Sequence, residues 1–72
     1  MREPTFKYLV QSSKVSAIAI KSTTDGFVVF LQEGDREEAL ETRRGHTRVF
    51  KKLDTLASYL RESGVTEATL KL

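Results

Sequence analysis

Two apolar runs of strand length, residues 15–20 and 27–31, flank Thr23-Thr24-Asp25-Gly26, and no other feature constrains the chain as much. Each run is rich in β-branched or aromatic residues and too short for a helix. Asp-Gly between such runs reads as a hairpin turn, because both residues tolerate positive φ. On the return strand Phe27, Val29 and Leu31 share one face, and Val28 and Phe30 share the other. A strand apolar on both faces belongs in the middle of a sheet. One face meets a helix, and the other needs a cover, for which a partner subunit is the simplest candidate.

The flanking segments complete the fold expectation. Residues 1–4 read as a loose start. Phe6-Lys7-Tyr8-Leu9-Val10 reads as a short strand or as an arm that docks on a partner, and residues 11–14 as a break. Glu33-Gly34-Asp35-Arg36 is a second turn; residues 37–43 fit an edge strand or a helical turn and are read as strand, because Arg44-Gly45-His46 offers a third turn and residues 47–50 its return. Leu53, Leu56, Ala57 and Leu60 then fall at i, i+3, i+4 and i+7, one apolar helix stripe. Asp54 stands in its first turn and Arg61 in its last, both favourable to the helix dipole. Gly64 is placed for a left-handed helix end, with Val65 packing back on the stripe. Ala68, Leu70 and Leu72 alternate with polar residues as a closing strand. The expectation is one α+β domain over residues 1–72. It has an antiparallel sheet in β-β-β-β-α-β order and one helix packed on one face.

Composition narrows the function classes. Of the 72 residues 39% are hydrophobic and 31% charged, a globular balance, with a net charge of +2. The absence of cysteine excludes disulfides and cysteine-based zinc sites, and a single histidine cannot build a histidine-rich metal site. The four glycines are scattered at turns and form no phosphate-cradling loop, and no serine stands in a nucleophile motif. We therefore expect no enzyme, no metal and no cofactor. No stretch approaches the roughly 20 apolar residues of a membrane span, and the N-terminus lacks the apolar core of a signal peptide. A cytoplasmic protein without membrane contact is expected. So small a core favours a second subunit, and hence a homodimer.

The chain hides a charge split behind its near-neutral total. Residues 33–41 hold five acids and one arginine, whereas residues 43–52 hold Arg43, Arg44, His46, Arg48, Lys51 and Lys52 with no acid. On a hairpin over residues 37–50 the tip and return strand are basic. A basic tip can track nucleic-acid phosphates, Gly45 lets the backbone approach, and Thr47 can donate to a phosphate oxygen. The plain alternative is a solvated turn whose arginines pair with the acidic strand. His46 beside a glycine has neither the orienting carboxylate nor the pocket that a general base needs.

Within residues 40–65 stand Arg44-Gly45, then Arg48-Val49-Phe50, then Leu53-Asp54 opening a helix that Gly64-Val65 closes. With this pattern the segment resembles a family of small proteins of bacterial plasmids and integrative elements that carry replication- or partition-associated labels. Lys52 departs from the pattern, standing where a serine or threonine helix cap would fit. The resemblance implies a bacterial cytoplasmic accessory protein acting near DNA. The leading expectation is thus a non-enzymatic homodimer of a mobile element. It binds nucleic acid through Arg43, Arg44, Arg48, Lys51 and Lys52, with His46 and Thr47 as minor donors. The rival is a protein–protein adaptor that uses an exposed strand edge or the apolar sheet face.

Overall fold

A computed structural model describes residues 2–12 and 17–72. Of the break expected over 11–14, residues 13–14 lie outside the described residues, as do the first two positions of the first expected strand, 15–16, while Gln11 belongs to a helix. The elements run α1 (Glu3–Gln11), β1 (Ala17–Thr23), β2 (Gly26–Glu33), β3 (Arg36–Ala39), β4 (Val49–Phe50), α2 (Leu53–Glu62) and β5 (Thr69–Lys71). The fold is α+β, and the expected β-β-β-β-α-β order is found from β1 to β5.

β1 and β2 form the hairpin, in register from Ala17 opposite Gln32 to Thr23 opposite Gly26. Thr24 and Asp25 make its tip. Thr23 Oγ1 accepts the Asp25 N–H at 3.3 Å and donates to the Gly26 carbonyl at 3.0 Å. Gly26 is the first residue of β2, with φ +144°. A Cβ there would stand 2.5 Å from the Phe50 carbonyl oxygen, so the glycine is required by the close approach of β4.

β2 is central. β1 pairs along one edge, while β3 and β4 pair one after the other along the opposite edge. Phe27, Val29 and Leu31 point with Ile18 and Ile20 toward the helices. There they join Phe6, Leu40, Phe50, Leu56, Leu60 and Val65 in one core. α2 contributes Leu56 and Leu60 and ends as its sequence requires. Gly64 has φ +97°, its N–H donates to the Arg61 carbonyl, and the Val65 N–H donates to the Leu60 carbonyl at 2.9 Å. This closed cap returns Val65 to the core.

Three expectations are corrected. Phe6–Val10, read as a strand or arm, lies in a helix, so the sheet carries two helices. Pro4 suits the first helical turn, where no N–H partner is lost, and Phe6, Leu9 and Val10 then share a face at i, i+3 and i+4. Phe6 is 0% exposed and its ring stacks on Tyr59 at 5.9 Å, whereas Tyr8 on the outer side is 66% exposed. The sheet is mixed, because β5 pairs parallel to β1, with Ile20 opposite Leu70. A tight hairpin joins only antiparallel neighbours, but α2 carries the chain back along the sheet before β5 begins. The hairpin expected over 37–50 is also narrower, since β3 and β4 pair with β2 and not with each other. Both Leu40 and Phe50 reach the core, which draws the chain onto the β2 edge on each side of the intervening loop.

Among the described residues no helix is long and apolar enough to cross a membrane.

Removing the Phe6 ring tests the docking of α1. Phe6→Ala should cost about 3–5 kcal/mol, comparable with the whole stability of a domain this small. Urea titration followed by circular dichroism should show a largely unfolded variant at room temperature. An unchanged midpoint would contradict a core role for α1.

Candidate nucleic-acid interface

The basic segment is an excursion from a sheet edge. β3 ends with Ala39 opposite Phe30, and the Leu40 N–H still donates to the Val29 carbonyl at 2.8 Å. β4 resumes the same edge with Val49 opposite Val28. Between them the chain leaves the sheet and returns as a small hairpin. Glu41 bridges Thr47, and the Arg48 N–H donates to the Leu40 carbonyl at 2.9 Å.

Local chemistry closes the tip. The Thr42 N–H donates to the His46 carbonyl at 2.6 Å and the Gly45 N–H to the Thr42 carbonyl at 2.9 Å. The Thr42 hydroxyl accepts the His46 N–H at 3.3 Å. This is the pattern of a three-residue hairpin loop closed by glycine, and Gly45 has φ +87°. Arg43 and Arg44 therefore occupy the corner of the turn, where side chains project outward.

The structure brings Arg43, Arg44, His46 and Thr47 together on this tip, all four exposed. Arg48 stands apart in character. It is half-buried, with its guanidinium carbon 4.7 Å from the centre of the Phe50 ring, a cation–π contact. Lys51 and Lys52 are exposed beyond β4, where Lys51 Cα lies against Gly26 at the start of β2 and Lys52 precedes α2. They sit at the far end of β4 and not on the hairpin. Lys52 caps α2 without a side-chain hydrogen bond.

The acids of β3 turn elsewhere. Glu37 bonds Lys21 Nζ at 3.2 Å across the sheet, and Glu38 bonds Arg36 at 2.8 Å. Among the described residues neither Arg43 nor Arg44 enters an ion pair with them.

Two further cations, missed by the reading of residues 43–52, join from α1 and the residue that precedes it. Arg2 pairs with Glu41 in a parallel bridge, and its Nη2 lies 3.2 Å from where a Gly45 Cβ would stand. Lys7, one turn into α1, lines a surface cleft with Pro4, Arg43 and Tyr59. Pro4 followed by Phe6, Leu9 and Val10 was the available signal for the helix. No local pattern signalled that the helix would dock beside the basic turn.

The family model described as ParC-like matches residues 1–72, a longer span than the 40–65 that carry the sequence resemblance. No curated protein and no solved structure gives a significant match.

Gly45 offers a test of the tip. A side chain there meets both the unfavourable φ and the Arg2 guanidinium. Gly45→Ala should lower stability by about 1–3 kcal/mol, read as a lower urea midpoint. An unchanged midpoint would mean that Gly45 does not hold its left-handed conformation in solution.

Proposed function

The chain belongs to the ParC-like family, and on that premise we propose that it is a non-enzymatic, cytoplasmic accessory protein of a bacterial mobile element that binds nucleic acid. The family match agrees, at the coarse level of replication and partition, with the resemblance of residues 40–65. The observation that carries the reading is the protruding tip, with Arg43 and Arg44 at the corner of its turn, while Glu37 and Glu38 of β3 are bonded to Lys21 and Arg36. These arginines contact phosphates, and His46 and Thr47 add weaker donors. Lys51 and Lys52 extend the positive surface beyond β4. Arg48 acts mainly by holding the return strand on Phe50.

Binding of this kind is chiefly electrostatic and weakens with salt as counterions are released. Phosphate contacts set affinity and register, while base contacts set sequence preference.

A second reading rests on the helix-free sheet face. Ala19, Val28, Phe30, Ala39 and Val49 share that face, opposite the one that joins the core, with Val28 buried and Val49 exposed. A homodimer or a protein partner would use it. Lys21 lies 4.2 Å over the Phe30 ring and bonds Glu37, so part of this face is already screened by charge. That favours the basic tip as the primary site.

Fluorescence anisotropy with labelled single-stranded and duplex DNA across a salt series separates the readings. The wild type should bind at low salt and weaken steeply toward physiological salt. Arg43→Ala/Arg44→Ala should bind more weakly and reduce the log–log salt slope by about two. A double variant that binds as wild type does would remove the tip from the interface. In that case Phe30→Glu, read as oligomeric state by light scattering, becomes the decisive variant.

A further inference from the structure

The cleft between α1 and the basic tip has the properties of a phosphate seat. Its described lining is Pro4, Lys7, Arg43 and Tyr59. Two are cations that arrive from different elements, and none of the four is acidic. Lys7 and Arg43 are both exposed, so each presents its charge to an entering anion. Pro4, in the first turn of α1, lines the same cleft. Arg2 adds a third positive group nearby, because its guanidinium packs on Gly45, two residues from Arg43.

The walls are held independently of any ligand. α1 is anchored by Phe6, which is fully buried and stacked on Tyr59, itself a lining residue. The tip is closed by its own hydrogen bonds and tied to α1 by the bridge from Arg2 to Glu41. A site formed before binding loses little ordering entropy when an anion enters.

We infer that the N-terminal helix is the second wall of the nucleic-acid site, and that one phosphodiester of the bound strand sits between Lys7 and Arg43. This rests on the proposed function, since the anion is taken to be a nucleic-acid phosphate. It goes beyond it in moving the site from one hairpin to a two-walled cleft, and in assigning a contact to a residue far from the basic segment in sequence. A strand seated in the cleft would be held by two parts of the protein, α1 and the tip. A tip acting alone would leave the strand free to pivot.

The test is a double-mutant cycle on the full chain, read by anisotropy with a labelled oligodeoxynucleotide at several salt concentrations. Lys7→Ala should weaken binding several-fold and reduce the salt slope by about one. Lys7→Arg should restore most of both. Lys7→Ala/Arg43→Ala should lose less than the sum of the single losses, because both cations hold one phosphate. Lys71→Ala, on β5 away from the cleft, should bind as wild type does. Lys7 is exposed, so thermal melts of its variants should match the wild type and exclude misfolding as the cause. A Lys7→Ala variant with wild-type affinity and slope overturns the second wall. If Arg43→Ala/Arg44→Ala still loses binding, the tip reading survives that failure. Strictly additive losses in the cycle overturn the shared phosphate. A wild type that binds neither single strand nor duplex at low salt overturns the cleft and the tip together.

Discussion

The contact on which the rest of this molecule depends is the aromatic row Phe6–Tyr59–Phe50. Phe6 of α1 stacks on Tyr59 of α2 at 5.9 Å, and Tyr59 meets Phe50 of β4 at 5.4 Å. Three elements distant in sequence are thereby fastened to one another. Large rings suit this task because each removes much apolar area from water in a single contact, and offset or tilted rings add a further electrostatic preference. Arg48 extends the row by lying over Phe50. The basic tip is thus set on a fixed base, and the start of α1 is held beside it.

The second constraint is the double use of the β2 edge. β3 covers one half of that edge and β4 the other, and the polypeptide between them is free to leave the sheet. Such an excursion changes little in the core, since Leu40 and Phe50 are buried on either side of it. Function-bearing residues can therefore gather on the loop without disturbing the packing that positions it. Gly26 is part of the same arrangement, because a side chain there would displace the Phe50 carbonyl from its place beside β2.

Much of the fold was legible in the residues. The β1–β2 hairpin followed from two β-branched runs around Asp25-Gly26, and the inner position of β2 from its two apolar faces. The extent and cap of α2 followed from Leu53, Leu56, Ala57, Leu60 and Gly64. The clustering of Arg43, Arg44, His46 and Thr47 was equally plain, because they are neighbours in the chain. Less legible was the separation of Lys51 and Lys52 from that cluster, which depends on where β4 rejoins the sheet. The half-buried state of Arg48 depends on Phe50 being beneath it.

The sequence by itself determined the local terms: which segments bury a face, where the chain can turn, and where positive charge collects. These follow from side-chain periodicity, glycine conformational freedom and residue order, all of which act within a few positions. Only the tertiary structure decided that Phe6–Val10 is a docked helix, that β5 runs parallel to β1, and that Arg2 and Lys7 stand beside Arg43. A five-residue segment with four apolar residues satisfies a strand or a helix equally well until a partner surface selects one, and here Phe6 packs into the core against Tyr59. The direction of β5 was set by the return path over α2, and the company of Arg43 by the docking of α1. Both are long-range consequences of burying one shared core, which no local pattern of residues encodes.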